Sequence, residues 1–196
     1  MSEKYTVIAS GTSLQVTAVN VGNYYYGGSG SLTVTGTTAY TTTATTSTGT
    51  TNIQGSARLG TGDVSSGTGS TLNLNHSSAT IANTISGGGA LKLSGASNVY
   101  TLSGDNSNFL GTMTVLGTAS VRAENRLGGI LTASNTAAIV LNGGGIQATE
   151  TFAISANRGI QISSNTTGTL NADAEKILTL NSNLSSGNAS SNFVKT

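Results

Sequence analysis

Short runs in which apolar and polar residues alternate dominate this chain. Leu14-Gln15-Val16-Thr17 and Leu32-Thr33-Val34-Thr35 come first, followed by Leu72-Asn73-Leu74-Asn75, Leu91-Lys92-Leu93-Ser94 and Met113-Thr114-Val115. Ile160-Gln161-Ile162-Ser163 and Leu178-Thr179-Leu180-Asn181 complete the series. Period two places the apolar members on one face of a strand and the polar members on the other. Each run is bounded by Gly, Asn or Ser clusters that favour turns. No 3.6-residue stripe of helical length interrupts the pattern, so the chain is expected to be all-β.

The choice among all-β architectures rests on the core. Antiparallel sandwiches use hairpin dipeptides and aromatic anchors. This chain has no Trp, three Phe and six Tyr. A core of small aliphatic residues suits a narrow stacked solenoid, in which each coil supplies two or three inward residues. We therefore expect a right-handed parallel β-helix, with outward Thr, Ser and Asn forming ladders from coil to coil. Local echoes agree. Leu91-Lys92-Leu93-Ser94-Gly95 is answered by Tyr100-Thr101-Leu102-Ser103-Gly104, Thr71-Leu72-Asn73 by Thr169-Leu170-Asn171, and Arg58-Leu59-Gly60 by Arg126-Leu127-Gly128. Triple glycines recur at Gly87-Gly88-Gly89 and Gly143-Gly144-Gly145, where φ > 0 is accessible without steric cost. At roughly 20 residues per coil the chain would make about ten coils, a rod of about 45–50 Å.

Composition narrows the function classes. Charged residues make up 8% of the 196, against roughly 25% in ordinary domains. Disorder is disfavoured, because disordered chains pair low hydrophobicity with high charge, whereas here 36% of residues are hydrophobic. A net charge of +1, spread thinly, supplies no basic stripe for nucleic acid. Cys is absent, which removes disulfides and Cys-based zinc sites and is compatible with export. No apolar run approaches the roughly 20 residues that span a bilayer. Met1-Ser2-Glu3-Lys4-Tyr5 does not read as a signal peptide.

Residues 1–54 differ in texture and are read as a divergent N-terminal β segment or cap, with β-helix repeats over 55–196. Thr37 to Thr51 is almost purely Thr, Ala, Ser and Gly around Tyr40. Tyr24, Tyr25 and Tyr26 stand together as the candidate interaction surface. Clustered Tyr serves equally to cap an open solenoid end or to bind a partner.

Ile85-Ser86-Gly87-Gly88-Gly89-Ala90-Leu91-Lys92 and Leu102-Ser103-Gly104-Asp105-Asn106-Ser107-Asn108-Phe109-Leu110-Gly111-Thr112 carry a family resemblance. From Gly55 onward the text resembles the autotransporter-associated β-strand repeat of type V secretion passenger domains. The first phrase fits the start of that repeat and the second its middle. The resemblance implies a parallel β-helix exported to a bacterial surface, and it is silent on ligand. Residues 1–54 match the family poorly. The chain stops at Asn192-Phe193-Val194-Lys195-Thr196, where the family would begin another Gly-rich repeat, and is expected to be truncated with no translocator barrel in it.

The chemical inventory is sparse. His76 is the single His, and the carboxylates are Glu3, Asp63, Asp105, Glu124, Glu150, Asp173 and Glu175. A Ser-His-Asp triad would have to use His76, which is read as a solvated turn residue beside Ser77 and Ser78. Asp173 and Glu175 would lie on one side of a strand, about 6–7 Å apart. That pair could hold a cation but reads more readily as a solvated turn. Arg122 and Glu124 read as an outward surface ion pair. No Gly-Gly-x-Gly-x-Asp calcium repeat follows either glycine triplet. The Asn-x-Ser/Thr triplets are those that chance supplies in such a composition.

No catalytic residue, cofactor or metal is therefore expected. The leading expectation is an extracellular or cell-surface passenger-type rod for adhesion or self-association, with a host or matrix surface as the other possible partner. The alternative is a subunit of an extracellular filament or phage fibre that stacks end to end, and a remote one is a polysaccharide-active enzyme.

Overall fold

A computed structural model describes residues 3–16, 23–36, 43–46 and 48–196, with the backbone alone for 3–6, 23–26 and 43–46. The chain is half strand, and its parallel sheets stack as a β-solenoid of about 8 turns. Twenty-two strands among the described residues are numbered β1 to β22 in chain order. The longest sheet holds nine of them: β2 (Ser13–Val16), β4 (Ser31–Val34), β6 (Gly49–Gly55), β8 (Ser70–His76), β11 (Ala90–Leu93), β13 (Met113–Val115), β15 (Asn135–Leu141), β18 (Arg158–Ile162) and β21 (Leu184–Ser186).

A second face begins with β1 (Glu3–Val7), β3 (Asn23–Gly27), β5 (Thr43–Thr46), β7 (Asp63–Ser66) and β10 (Ile85–Ser86). The third comprises β9 (Ala79–Ile81), β12 (Val99–Leu102), β14 (Thr118–Val121), β16 (Gly145–Ala148), β19 (Thr167–Ala172) and β22 (Asn192–Lys195). A separate pair, β17 (Phe152–Ile154) and β20 (Leu178–Leu180), completes the set. Every strand pairing is parallel, so each strand bonds to its counterpart one coil away.

The core follows directly from the alternation. In the long sheet one inward column runs Leu32, Thr51, Leu72, Leu91, Met113, Ile139, Ile160 and Leu184. Beside it run Val34, Ile53, Leu74, Leu93, Val115, Leu141, Ile162 and Ser186. From Leu32 to Ile162 both columns are buried. On the third face Ala79, Tyr100, Ala119 and Ile146 stack in register. The small Ala79 and Ala119 above and below leave room for the buried Tyr100 ring, the large–small alternation that fills a core without voids.

Two expectations are corrected. In the long sheet the step between equivalent positions ranges from that of Leu14 to Leu32 up to that of Met113 to Ile139. Corner loops lengthen the later coils, which gives about 8 turns rather than ten. Two of the three sequence echoes do not mark equivalent coil positions either. Leu91–Gly95 and Tyr100–Gly104 fall on two faces of one coil, and Thr71–Asn73 and Thr169–Asn171 belong to different sheets. One three-residue 3-10 turn, Glu124–Arg126, also occurs where no helix was expected.

Strands are absent from the second face over the described residues between β10 and β17. Side chains fill that interval instead. Asn106, 1% exposed, accepts from the Ile85 N–H at 2.8 Å and donates from Nδ2 to the Arg126 carbonyl at 2.8 Å. One coil earlier Asn83 donates to the carbonyls of Gly60 and Gly62. A buried amide thus satisfies backbone groups that a strand ladder would otherwise pair.

Candidate functional site

Among the buried polar side chains of the long sheet are Thr51, His76 and Arg158. His76 ends β8 and shares the parity of Leu72 and Leu74, so the alternation that buries those leucines buries it as well. At 2% exposure it is not the solvated turn residue expected. Its Nδ1 lies 2.8 Å from the Ser77 carbonyl oxygen, and its Nε2 has no hydrogen-bond partner. A Ser-His-Asp relay needs one ring nitrogen on a hydroxyl and the other on a carboxylate, and the imidazole here makes neither bond.

Arg158 opens β18 at the same parity as Ile160 and Ile162 and is 2% exposed. Its Nε lies 3.2 Å from Glu124 Oε1, and its terminal nitrogens donate to the carbonyls of Leu127 and Gly129. Glu124 Oε1 also accepts from the Ser155 N–H at 2.8 Å and the Ser155 hydroxyl at 2.6 Å. Burial alone would push the Glu124 carboxyl up. The Ser155 bonds and the Arg158 guanidinium outweigh it and hold the group below the ordinary carboxylate range. The expected pair of Arg122 and Glu124 is therefore replaced. Arg122 is exposed, and Glu124 turns inward to clamp the 124–129 loop against β18.

The acidic stretch is also rearranged. β19 ends at Ala172, so Asp173 and Glu175 do not share a strand. Asp173 accepts from Gln147 Nε2 at 2.8 Å, and Glu175 is an exposed residue at positive φ. Lys176 pairs with Glu150 at 2.7 Å, mostly in solvent, an interaction of little energetic weight. Among the described residues no group of three or more His, Asp or Glu is placed to hold a metal ion. No helix among them is long and apolar enough to cross a membrane.

Outward, the long sheet carries a polar ladder. Asn52 Nδ2 donates to Ser31 Oγ at 3.0 Å, Asn73 Nδ2 to Asn52 Oδ1 at 2.8 Å, and Ser94 Oγ to Asn73 Oδ1 at 2.7 Å. Four successive coils are thereby joined on their outer surface. A second rung links Asn188 Nδ2 to Asn165 Oδ1 at 3.1 Å. These are the coil-to-coil ladders that the Asn, Ser and Thr positions imply.

The backbone of Tyr24, Tyr25 and Tyr26 lies in β3, paired with β1 and β5. Their side chains fall outside the described residues, as does Tyr40. Two shallow grooves occur elsewhere. One of about 210 Å³ lies among Leu170, Ile177, Leu178, Leu180 and Phe193, flanked by Lys176 and Lys195. The other, about 310 Å³, runs past the Gly143–Gly145 corner beside Thr118, Gln147, Thr169 and Asn171.

Fold and side-chain geometry together define a parallel β-solenoid with a polar, sparsely charged exterior. No protein-family model, curated protein or solved structure matches the chain.

Proposed function

We propose that this chain is a structural or adhesive rod of an exported bacterial surface protein, of the passenger type that the repeat text resembles. The carrying observation is the ladder from Ser31 through Asn52 and Asn73 to Ser94. Its amides and hydroxyls bond from coil to coil, the arrangement of a surface built to be stiff and repetitive. With so little charge, two such faces approach without Coulomb repulsion, and self-association becomes a matter of matching hydrogen-bond rows. Beads coated with purified protein should agglutinate, and should still do so in 1 M salt, which screens charge to about 3 Å. Beads that stay dispersed at every salt concentration, and that fail to adhere to cells, would reject the reading.

A second reading is a filament subunit that stacks end to end, in keeping with sheets whose strands pair in parallel register from coil to coil. Ordered polymers in electron micrographs would favour the filament, and dispersed short rods the passenger.

A further inference from the structure

We propose that the corner holding His76 is an acid-sensitive latch on the solenoid, released when its imidazole takes up a proton. Three successive coils meet at this corner, where β8 turns towards β9. The Nδ1 contact with the Ser77 carbonyl requires a hydrogen on Nδ1, because a carbonyl oxygen only accepts. In the neutral ring Nε2 is then a bare acceptor, buried and without a partner. Protonation would place a second N–H there, facing no acceptor, together with a full charge. Burying an unpaired charge is far more costly than burying one unpaired acceptor.

The surroundings offer no counter-charge. From the preceding coil comes Arg58, whose Nη2 donates to Ser77 Oγ at 2.7 Å and whose Nη1 donates to the Ala57 carbonyl at 2.7 Å. From the following coil comes Tyr100, in edge contact with the imidazole at 5.3 Å between ring centroids. The Tyr100 hydroxyl lies 2.9 Å from the Leu74 and His76 carbonyl oxygens and 2.6 Å from that of Ser94. Asn98 Nδ2 donates to the His76 carbonyl at 2.8 Å. β8 itself contributes no second titratable group, and Arg58 is the only charge acting on the ring among the described residues.

Burial, opposed by the Ser77 bond and reinforced by Arg58, holds the imidazole below its ordinary value of 6.5. A depressed value in the folded state means that the open state binds the proton first. Stability from this corner is thus complete above about pH 6.5 and is lost as pH falls through the folded-state value. Over that interval the opening constant rises about tenfold per pH unit, one proton being taken up. The Asp105 and Glu124 carboxyls are both held below the ordinary carboxylate range by hydrogen bonds and neighbouring positive charge.

With one histidine in the chain, a proton–nitrogen NMR titration reads this imidazole without ambiguity. The expected result is an Nδ1–H tautomer with a midpoint below 6.5. Hydrogen exchange, corrected for its intrinsic pH dependence, should show residues 74–78 and 94–100 losing protection faster than the rest as pH falls from 7 to 5. Arg58→Gln should raise the midpoint, and His76→Phe should abolish the local pH dependence. A midpoint at or above 6.5, or exchange at this corner that rises no faster than elsewhere, overturns the proposal. If His76→Phe does not fold, the titration and exchange of the unaltered protein still decide.

Discussion

Thr51 interrupts an otherwise aliphatic column, with Leu32 on one side of it and Leu72 on the other. Its hydroxyl is buried and has no partner. Such a group costs about 1–3 kcal/mol relative to an apolar isostere. Thr51→Val should therefore stabilise the protein by about 1 kcal/mol in urea unfolding, and a loss of stability would show that the hydroxyl is satisfied. Arg158 is the opposite case, a buried charge with its partners in place. Arg158→Ala leaves Glu124 without its counter-charge and two loop carbonyls without their donor, and should destabilise by about 3 kcal/mol. Because the Glu124 carboxyl is held low, the clamp's contribution is present above about pH 4.5 and lost as pH falls through the depressed value. In Glu124→Gln that part of the acid dependence should vanish. An unchanged acid limb would separate Glu124 from it.

At the scale of strands and corners, period two placed six of the nine strands of the long sheet. Of the seven alternating runs, six lie in it, and the run from Leu178 became β20. His76 was misread and Arg158 passed over for an instructive reason. Parity counted onward from Leu72 and Leu74, or back from Ile160 and Ile162, puts both inward, but a charge or imidazole at a strand end suggests solvent. The Tyr100 ring against His76 belongs to the next coil, and Glu124 is 34 residues from Arg158, separations that no local pattern reports. The corners invite a comparison of glycines. A Cβ on Gly111 would collide with the Gly89 carbonyl oxygen, whereas one on Gly143 meets open space at a φ of +83°. Gly143→Ala should cost about 1–2 kcal/mol for the left-handed backbone alone. Gly111→Ala should cost about 3 kcal/mol, since rigid backbone must move. Equal midpoints in thermal melts of the two variants would contradict the packing of this corner.

Over the whole molecule, the solenoid was legible because one short rule repeats. Its length was overestimated because loop insertions between rungs leave no periodic trace. About 8 turns at roughly 4.8 Å give a rod of about 40 Å. The interaction surface was the least legible feature. Clustered tyrosines and polar ladders both attract notice, yet hydroxyls and amides look the same in sequence whether they bond to the next coil or to a partner. In the Asn52–Asn73–Ser94 row the bonds run from coil to coil, within the molecule. The physical basis of all these proposals is that like positions on successive coils pair in parallel. Backbone NMR contacts test it most directly. Asn52, Asn73 and Lys92, and inside them Ile53, Leu74 and Leu93, should show the amide-to-α-proton contacts of parallel neighbours in unbroken succession. Close α-proton to α-proton contacts between any two of these strands would mean antiparallel pairing and would contradict the solenoid.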